Sequence, residues 1–504
     1  MSSVATYGTV MAGYLVVLVA MGIWMARRTR SSEDFYIGGR QVGPWVTAFS
    51  FVAAYFSSVV IVGGGAFGYR FGMSTLWIAA SNVLIGCTLV WIVLGRRLWQ
   101  FTKRLDTMTI PGFIGRRYGA REAEVISAVI IFVFMIVYNV SVLVGMGRIM
   151  EGLMGIPYTT AVIISGLIIL IYVSIGGYLA VVWTGFVQAW IMIVGLLLLA
   201  FATLRAVGGL TAGNLALAKL GSGFVETPGA WGWSGLLSFA LIVSLGVWGM
   251  PQLLVRFYSM KSVRVLRLGT VLATLGGAMA ILPYMTGALS RLVLPALENP
   301  DLAIPMLTQR VLNPWGGAIF LAGVMAAGMS TFASVLIIVS GAIVKDLRRG
   351  SRAEAASNGG PAHAEPGSVS SAAAAHTGAV DERREIMLAR VASLAAGLIA
   401  LAIAYRPPAL VLVITAFAWA VIASSCLWPV VLGLYWKRGT RAGVTSSMLV
   451  GAAVALGWMA AGRPFGIHGF IPGVASSLVV FVLVSLVTKA PAGELVARAW
   501  GSGT

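Results

Sequence analysis

Ala327, Ser330 and Thr331 stand at i, i+3 and i+4 in an apolar stretch, a spacing that places them on one helix face. Two hydroxyls beside backbone carbonyls are hard, neutral oxygens, the donors a sodium ion needs where a membrane helix is unwound. On an ordinary helix such a pair bonds back to its own carbonyls or to a neighbouring helix, so its surroundings must decide. A second cluster, Gly63, Gly64, Gly65 and Gly68, follows closely on Ala53, Tyr55, Phe56, Ser57 and Ser58. Each glycine weakens a helix by about 1 kcal/mol, although a glycine cluster also permits close helix packing. Gly246, Gly249 and Pro251 interrupt a later apolar stretch.

Other chemistry lacks its groups. All sixteen acidic residues can be placed in loops, which leaves the apolar core without a carboxylate. Proton relays use Asp, Glu or His inside the membrane, and an enzyme there needs an acid, a base or a metal-ligand set. Neither is expected, although Arg148 and Glu151 lie close to the end of a stretch. His363 and His376 fall in the Ser-, Ala- and Gly-rich segment 350–380, and His468 in an outer loop near the membrane interface. That segment reads as a disordered cytoplasmic loop. Cys87 and Cys426 lie within apolar stretches, where they read as small packing residues.

The elements that must position these residues are membrane helices. Hydrophobic residues are 59% of the 504 positions and charged residues 10%, with mean hydropathy +0.92. Stretches of about 20 apolar residues, each long enough to span, recur near 7–26, 44–69, 74–95, 123–147, 156–175, 178–204 and 232–255. Six more lie near 265–290, 317–344, 387–405, 408–435, 442–461 and 470–488. About thirteen spans with the N-terminus outside and the C-terminus inside put 27 of the 35 basic residues on the cytoplasmic side. The net charge of +19 is therefore topological, and no nucleic-acid partner is expected. The first span has no basic residue before it and Arg27, Arg28 and Arg30 after it, the reverse of a secretory signal. Two interrupted helices five spans apart point to an inverted-repeat transporter with its site at the midplane.

Five strings carry a resemblance to a known family: DFYIGGRQVGPWVTAFSFVAAYFSS (34–58), YVSIGGYLAVVWTGFVQ (172–188), GMPQLLVRFYSMKS (249–262), AAGMSTFASVL (326–336) and LYWKRGTRAG (434–443). In this order, at these spans, the sequence resembles the sodium/solute symporter family over nearly its whole length. The resemblance implies an all-α membrane protein with the LeuT-type five-plus-five inverted repeat. Residues 1–43 would form an extra N-terminal helix and loop, 44–204 the first repeat, 205–436 the second, and 437–504 two further helices and a tail.

Carried over by position, the family's sodium site would use the carbonyls of Ala53, Phe56 and Ala327 with the hydroxyls of Ser330 and Thr331. The second, fourth, seventh and eleventh spans would bound the solute cavity and offer Tyr55, Ser57, Ser58, Tyr138, Asn139, Trp248, Thr415 and Trp419. Two departures stand out. Tyr55 takes a place where members for amino-acid substrates can carry aspartate, so a cationic or amine-dependent solute is disfavoured. Gly185 and Ala333 replace an aspartate and a hydroxyl of a two-ion design, which leaves Ser330 and Ser334 and implies one sodium ion.

The expected protein is a sodium-coupled symporter of the bacterial or archaeal cytoplasmic membrane, not an enzyme, importing a small organic solute by alternating access. A monocarboxylate or similar organic anion suits an uncharged polar cavity best, and a neutral solute, a sugar or a zwitterion stays open. A proton-coupled carrier of the same fold and a non-transporting sensor are the alternatives. Sodium, a small solute and the lipid bilayer are the implied partners.

Overall fold

The structure, a computed structural model, describes residues 3–29, 31–347 and 371–501. Helices dominate, and an isolated parallel bridge, Val42 to Met260, is the extended pairing among the described residues. Among the described residues, eleven helices are long and apolar enough to cross a membrane. The thirteen expected stretches are all helical, with two differences. The second half of the second stretch and the whole third run together as Val59–Arg104, and the fifth holds the shorter apolar helix Tyr158–Ile171. Of the segment 350–380, residues up to 370 lie outside the described residues, and from Ser371 the chain is helical to Ala404, so the expected loop ends earlier.

In chain order, α1 is Ser3–Ala26, α2 is Pro44–Tyr55, α3 is Gly64–Phe71 and α4 is Arg96–Arg104. Arg121–Met154 is α5 and Gly177–Ala206 is α6; Gly177, at φ 68°, separates α6 from the helix before it. Gly232–Ser244 is α7, Pro251–Tyr258 is α8, Ile281–Val293 is α9 and Pro314–Gly341 is α10. Val411–Tyr435 is α11 and Gly493–Trp500 is α12.

Both expected interruptions are present, but the first lies upstream of its glycines. The α2 ladder ends with the Phe56 amide donating to the Val52 carbonyl, and Phe56 turns to ψ 76°. Ser57 then restarts the chain: its carbonyl accepts from Val60 and its hydroxyl from Val59. The glycines act in packing instead. A Cβ at Gly65 would sit 2.1 Å from Ile304, and one at Gly68 would sit 2.2 Å from the Tyr284 carbonyl, so only glycine lets α3 meet α9 backbone to backbone. In the second interruption α7 tightens into a 3₁₀ turn at Gly246–Gly249, Met250 is extended, and Pro251, without an N–H, opens α8.

Several charges expected in loops are instead built into the bundle. Arg256 is 1% exposed. Arg117, also buried, donates from Nε to the Gly433 carbonyl at 2.7 Å and from Nη2 to the Trp436 carbonyl at 3.0 Å, placing a cation at the C-terminal end of α11. Asp346 is buried in a π-helical turn continuing α10, and its Oδ1 accepts from the Thr109 hydroxyl. His468 is buried rather than at the interface, and Phe239 packs edge-on against its ring. Burial pushes its imidazole down to about 4, so it is neutral at physiological pH.

Asp301 fastens the loop between α9 and α10 to the bundle. It is buried, and its Oδ2 accepts from the Val411 amide at the N-terminus of α11. Burial raises its carboxyl from 3.8 to about 6, against the pull of the Val411 N–H and of Arg148. The folded protein therefore holds this proton more tightly than the unfolded chain. The contribution is complete below about pH 4 and is lost as pH rises through about 6, with a size on the order of 2 to 3 kcal/mol. The thermal midpoint of the purified protein should fall between pH 5 and 7. Asp301→Asn, which keeps an acceptor for Val411, should flatten that part of the profile; an unchanged slope would place the titration elsewhere.

Candidate functional site

Where α2 stops, the amides of Ser57 and Ser58 do not return to the Ala53 and Ala54 carbonyls as a continuing helix would require. Those carbonyls meet α10. The Ser330 hydroxyl donates to Ala53 O at 2.7 Å and lies 3.1 Å from Ala327 O. The Thr331 hydroxyl lies 3.0 Å from Ala54 O and 3.1 Å from Ala327 O. Five neutral oxygens from two helices thus converge, all on buried residues. Ala53, Ala327, Ser330 and Thr331 are brought together as expected. Phe56, the fifth expected ligand, forms the break itself. Ala54, which sequence reasoning passed over, presents its carbonyl to Thr331.

A charge, Arg256, is linked to these oxygens. Its Nη2 donates to the Ser334 hydroxyl at 2.7 Å, and that hydroxyl donates to Ser330 O at 2.8 Å. The guanidinium lies 5.1 Å from the centre of the Tyr178 ring, while Nε and Nη1 have no partner. A buried arginine on the broken helix thus stands two hydrogen bonds from the oxygen cluster, without a carboxylate in its hydrogen bonding. Its signal in the sequence was a charge inside GMPQLLVRFYS, where the apolar face of α8 continues on both sides of it.

Four of the solute candidates form one cluster. Tyr138 and Trp419 meet edge to face at 5.7 Å, Tyr55 and Trp419 lie 6.4 Å apart, and the Ser57 side chain lies beside the Tyr138 hydroxyl. The Tyr55 hydroxyl reaches the Asn82 side chain and the Val243 carbonyl, tying α2 to the third span and to α7. Asn82, a lone amide in an apolar run, was legible as a membrane-buried polar group and was missed. Ser58 donates to Val142 O and Thr415 to the Ser141 hydroxyl, so both are engaged with α5. Trp248 stands apart: its indole N–H donates to Ile85 O, and it stacks on none of these rings. Asn139 is fully buried with both ends of its amide unpartnered, as is Gln252, one residue into α8. The Trp419 indole N–H is likewise unpartnered. Tyr55, Ser57, Tyr138 and Trp419 are all buried, so this conformation is closed around the cluster.

The profile of the Sodium:solute symporter family matches residues 35–359 and 372–451. The chain belongs to this family. Among relatives of the symporter, the sodium/proline symporter of Staphylococcus aureus is 30% identical over 507 residues, which are 95% of this chain and 92% of that one. Its backbone also follows a Na+-coupled sialic acid symporter solved in a substrate-bound outward-open state, with TM-score 0.77 at 15% identity over 97% of this chain and 99% of the other. Mhp1, a nucleobase-cation-symport-1 family transporter solved in a closed conformation, gives TM-score 0.56 at 13% identity over 94% and 98%. The fold is the LeuT-type helical bundle. The protein is a multi-pass membrane transporter, not an enzyme, and it couples a solute to sodium.

If the five oxygens take the ion, Ser330→Ala or Thr331→Ala removes one ligand and keeps the helix. Half-maximal uptake should then need roughly tenfold more sodium, equivalent to about 1.4 kcal/mol, while the amount of inserted protein stays the same. Unchanged sodium dependence in both variants would remove the site from α10.

Proposed function

We propose that this symporter carries one sodium ion with one small carboxylate-bearing solute, and that a monocarboxylate is the preferred class. The observation carrying the reading is the charge of the site. The cluster of Tyr55, Ser57, Tyr138 and Trp419 holds hydroxyls and an indole N–H but no acid, and the nearby charge, Arg256, is positive. A carboxylate is held by N–H donors, and the Ser57 and Ser58 amides, released from the helix ladder at the break of the second span, supply them together with Trp419. Sodium sits among Ala53 O, Ala54 O, Ala327 O, Ser330 and Thr331, joins the broken helix to α10 and so favours one form of the bundle. Solute binds beside it, and rocking of the bundle releases both on the other side.

One sodium ion is the reading that Arg256 supports. Gly185 offers no ligand, Ala333 no oxygen, and the Ser334 hydroxyl accepts the guanidinium. A second cation there would meet a fixed positive charge with no carboxylate to offset it, at a cost of several kcal/mol. The Staphylococcus aureus relative favours a second reading, proline, which also bears a carboxylate. The two differ in the ammonium group, for which these side chains provide no anionic partner.

Proteoliposomes separate them. Excess propionate or pyruvate should suppress sodium-driven uptake of a labelled monocarboxylate, and excess proline should not; the reverse order would assign the amino acid. Sodium dependence should be hyperbolic, with a Hill coefficient of about one. A monocarboxylate should move electroneutrally. Proline would carry net charge +1 and gain about 2.3 kcal/mol per 100 mV. A reversal potential giving two sodium ions per solute would overturn the single-ion reading.

A further inference from the structure

At the basic end of the bundle, α4 and the start of the loop after α11 enclose a cavity of about 460 Å³. Arg96, Arg97, Arg104 and Lys437 line it with Gln100 and Trp500, and no acidic side chain does. Arg96, Gln100 and Arg104 follow at i, i+4 and i+8 and share one face of α4. The wall opposite is the C-terminal helix α12. Arg104 Nη1 donates to the Trp500 carbonyl at 2.6 Å, and Arg97 and Lys437 lie 5.5 and 5.4 Å from the Trp500 ring centre. Phe101 meets the same ring edge-on at 5.1 Å. Trp500 Nε1, buried, has no hydrogen-bond partner.

Some of these cations are engaged in holding the walls. Arg97 donates to Leu434 O at 2.7 Å and lies 4.2 Å from the Tyr435 ring centre. Arg96 makes no hydrogen bond or ion pair among the described residues. Arg96, Arg97 and Arg104 bring three guanidiniums to one cavity, and arginine forks suit phosphate oxygens.

We propose that this cavity binds the phosphate of an anionic phospholipid. Two features favour a lipid over free phosphate. The cavity lies where the long helix Val59–Arg104 leaves its apolar run, and Ile92, 61% exposed, stands one turn before Arg96 on the same face. An acyl chain can follow that apolar track while the headgroup meets the arginines, as at basic pockets between membrane helices. Trp500, half-buried at the cavity, is a residue type enriched at the headgroup level. The bound lipid would hold α12 against α4 and so fasten the C-terminal helix to the bundle.

The test uses the whole purified protein, stripped of lipid in detergent and titrated with dioctanoyl phosphatidylglycerol, dioctanoyl phosphatidylcholine or inorganic phosphate. Binding is read by native mass spectrometry and by the thermal midpoint. Phosphatidylglycerol should bind and raise the midpoint at concentrations at least tenfold below those needed for phosphatidylcholine. The triple variant Arg96→Gln, Arg104→Gln, Lys437→Gln should lose at least tenfold of that affinity. Arg96→Gln alone, at an exposed side chain with no bond to lose, should weaken it about threefold without changing the midpoint in phosphatidylcholine. A control removing three exposed cations elsewhere, Arg27, Arg264 and Lys489, should leave phosphatidylglycerol binding unchanged. Equal binding of the two lipids would overturn the proposal, as would full retention of phosphatidylglycerol by both cavity variants or its loss in the control. Inorganic phosphate binding as tightly as phosphatidylglycerol would replace the lipid with a free anion.

Discussion

The break at Phe56 and Ser57 is the constraint on which the rest of the bundle depends. An uninterrupted helix would satisfy the Ala53 and Ala54 carbonyls with the amides of Ser57 and Ser58. Inside a membrane a carbonyl released from its ladder has no bulk water to turn to, so another part of the protein must meet it. Ser330 and Thr331 meet it here, at 2.7 and 3.0 Å. A cation that takes over these carbonyls also takes over the joint between α2 and α10. Ion binding and helix position are then two descriptions of one set of contacts, which is the physical content of coupling.

The other half of the broken helix is held differently. Gly65 and Gly68 bring α3 against α9 with no side chain between, and a Cβ at Gly287 would sit 2.1 Å from Gly65 O, so the fit is reciprocal. Backbone contact of this kind has little freedom to slide, whereas hydroxyl-to-carbonyl bonds can exchange partners. Tyr55 adds a restraint, since its hydroxyl links the end of α2 to Val243, just before the second break. Both broken helices thus meet at one side chain.

Much of this was legible in the sequence, for identifiable reasons. Membrane helices announce themselves by the length of an apolar run, and the i, i+3, i+4 set in α10 survives any error in helix ends because it is local. Proline and glycine at 249–251 marked the second break correctly because they act on their own backbone. The first break was read from glycines that serve packing; their clash partners, Ile304 and Tyr284, are more than two hundred residues away, beyond what a local pattern can reveal. Ala54 was missed because any residue can present a carbonyl. Charge placement failed for a related reason. Arg256 and Asp346 lie at the ends of apolar stretches and Asp301 in the connection between two, and only tertiary contact decides whether such a residue reaches water or folds inward.

Arg256 then sets the electrostatics of the core. The chain from Arg256 through Ser334 to Ser330 places it next to the oxygens of the first break. In the proposed site, sodium approaching those oxygens would meet a positive potential in a region of low dielectric, so its binding would depend on hard oxygens at close range. The proposed anionic solute would meet the same potential with the opposite sign and would offset both the arginine and the ion. A cationic solute would add a third positive charge to the same interior. On that proposal the resident arginine links two properties that otherwise look independent, the number of sodium ions and the charge of the solute that travels with them.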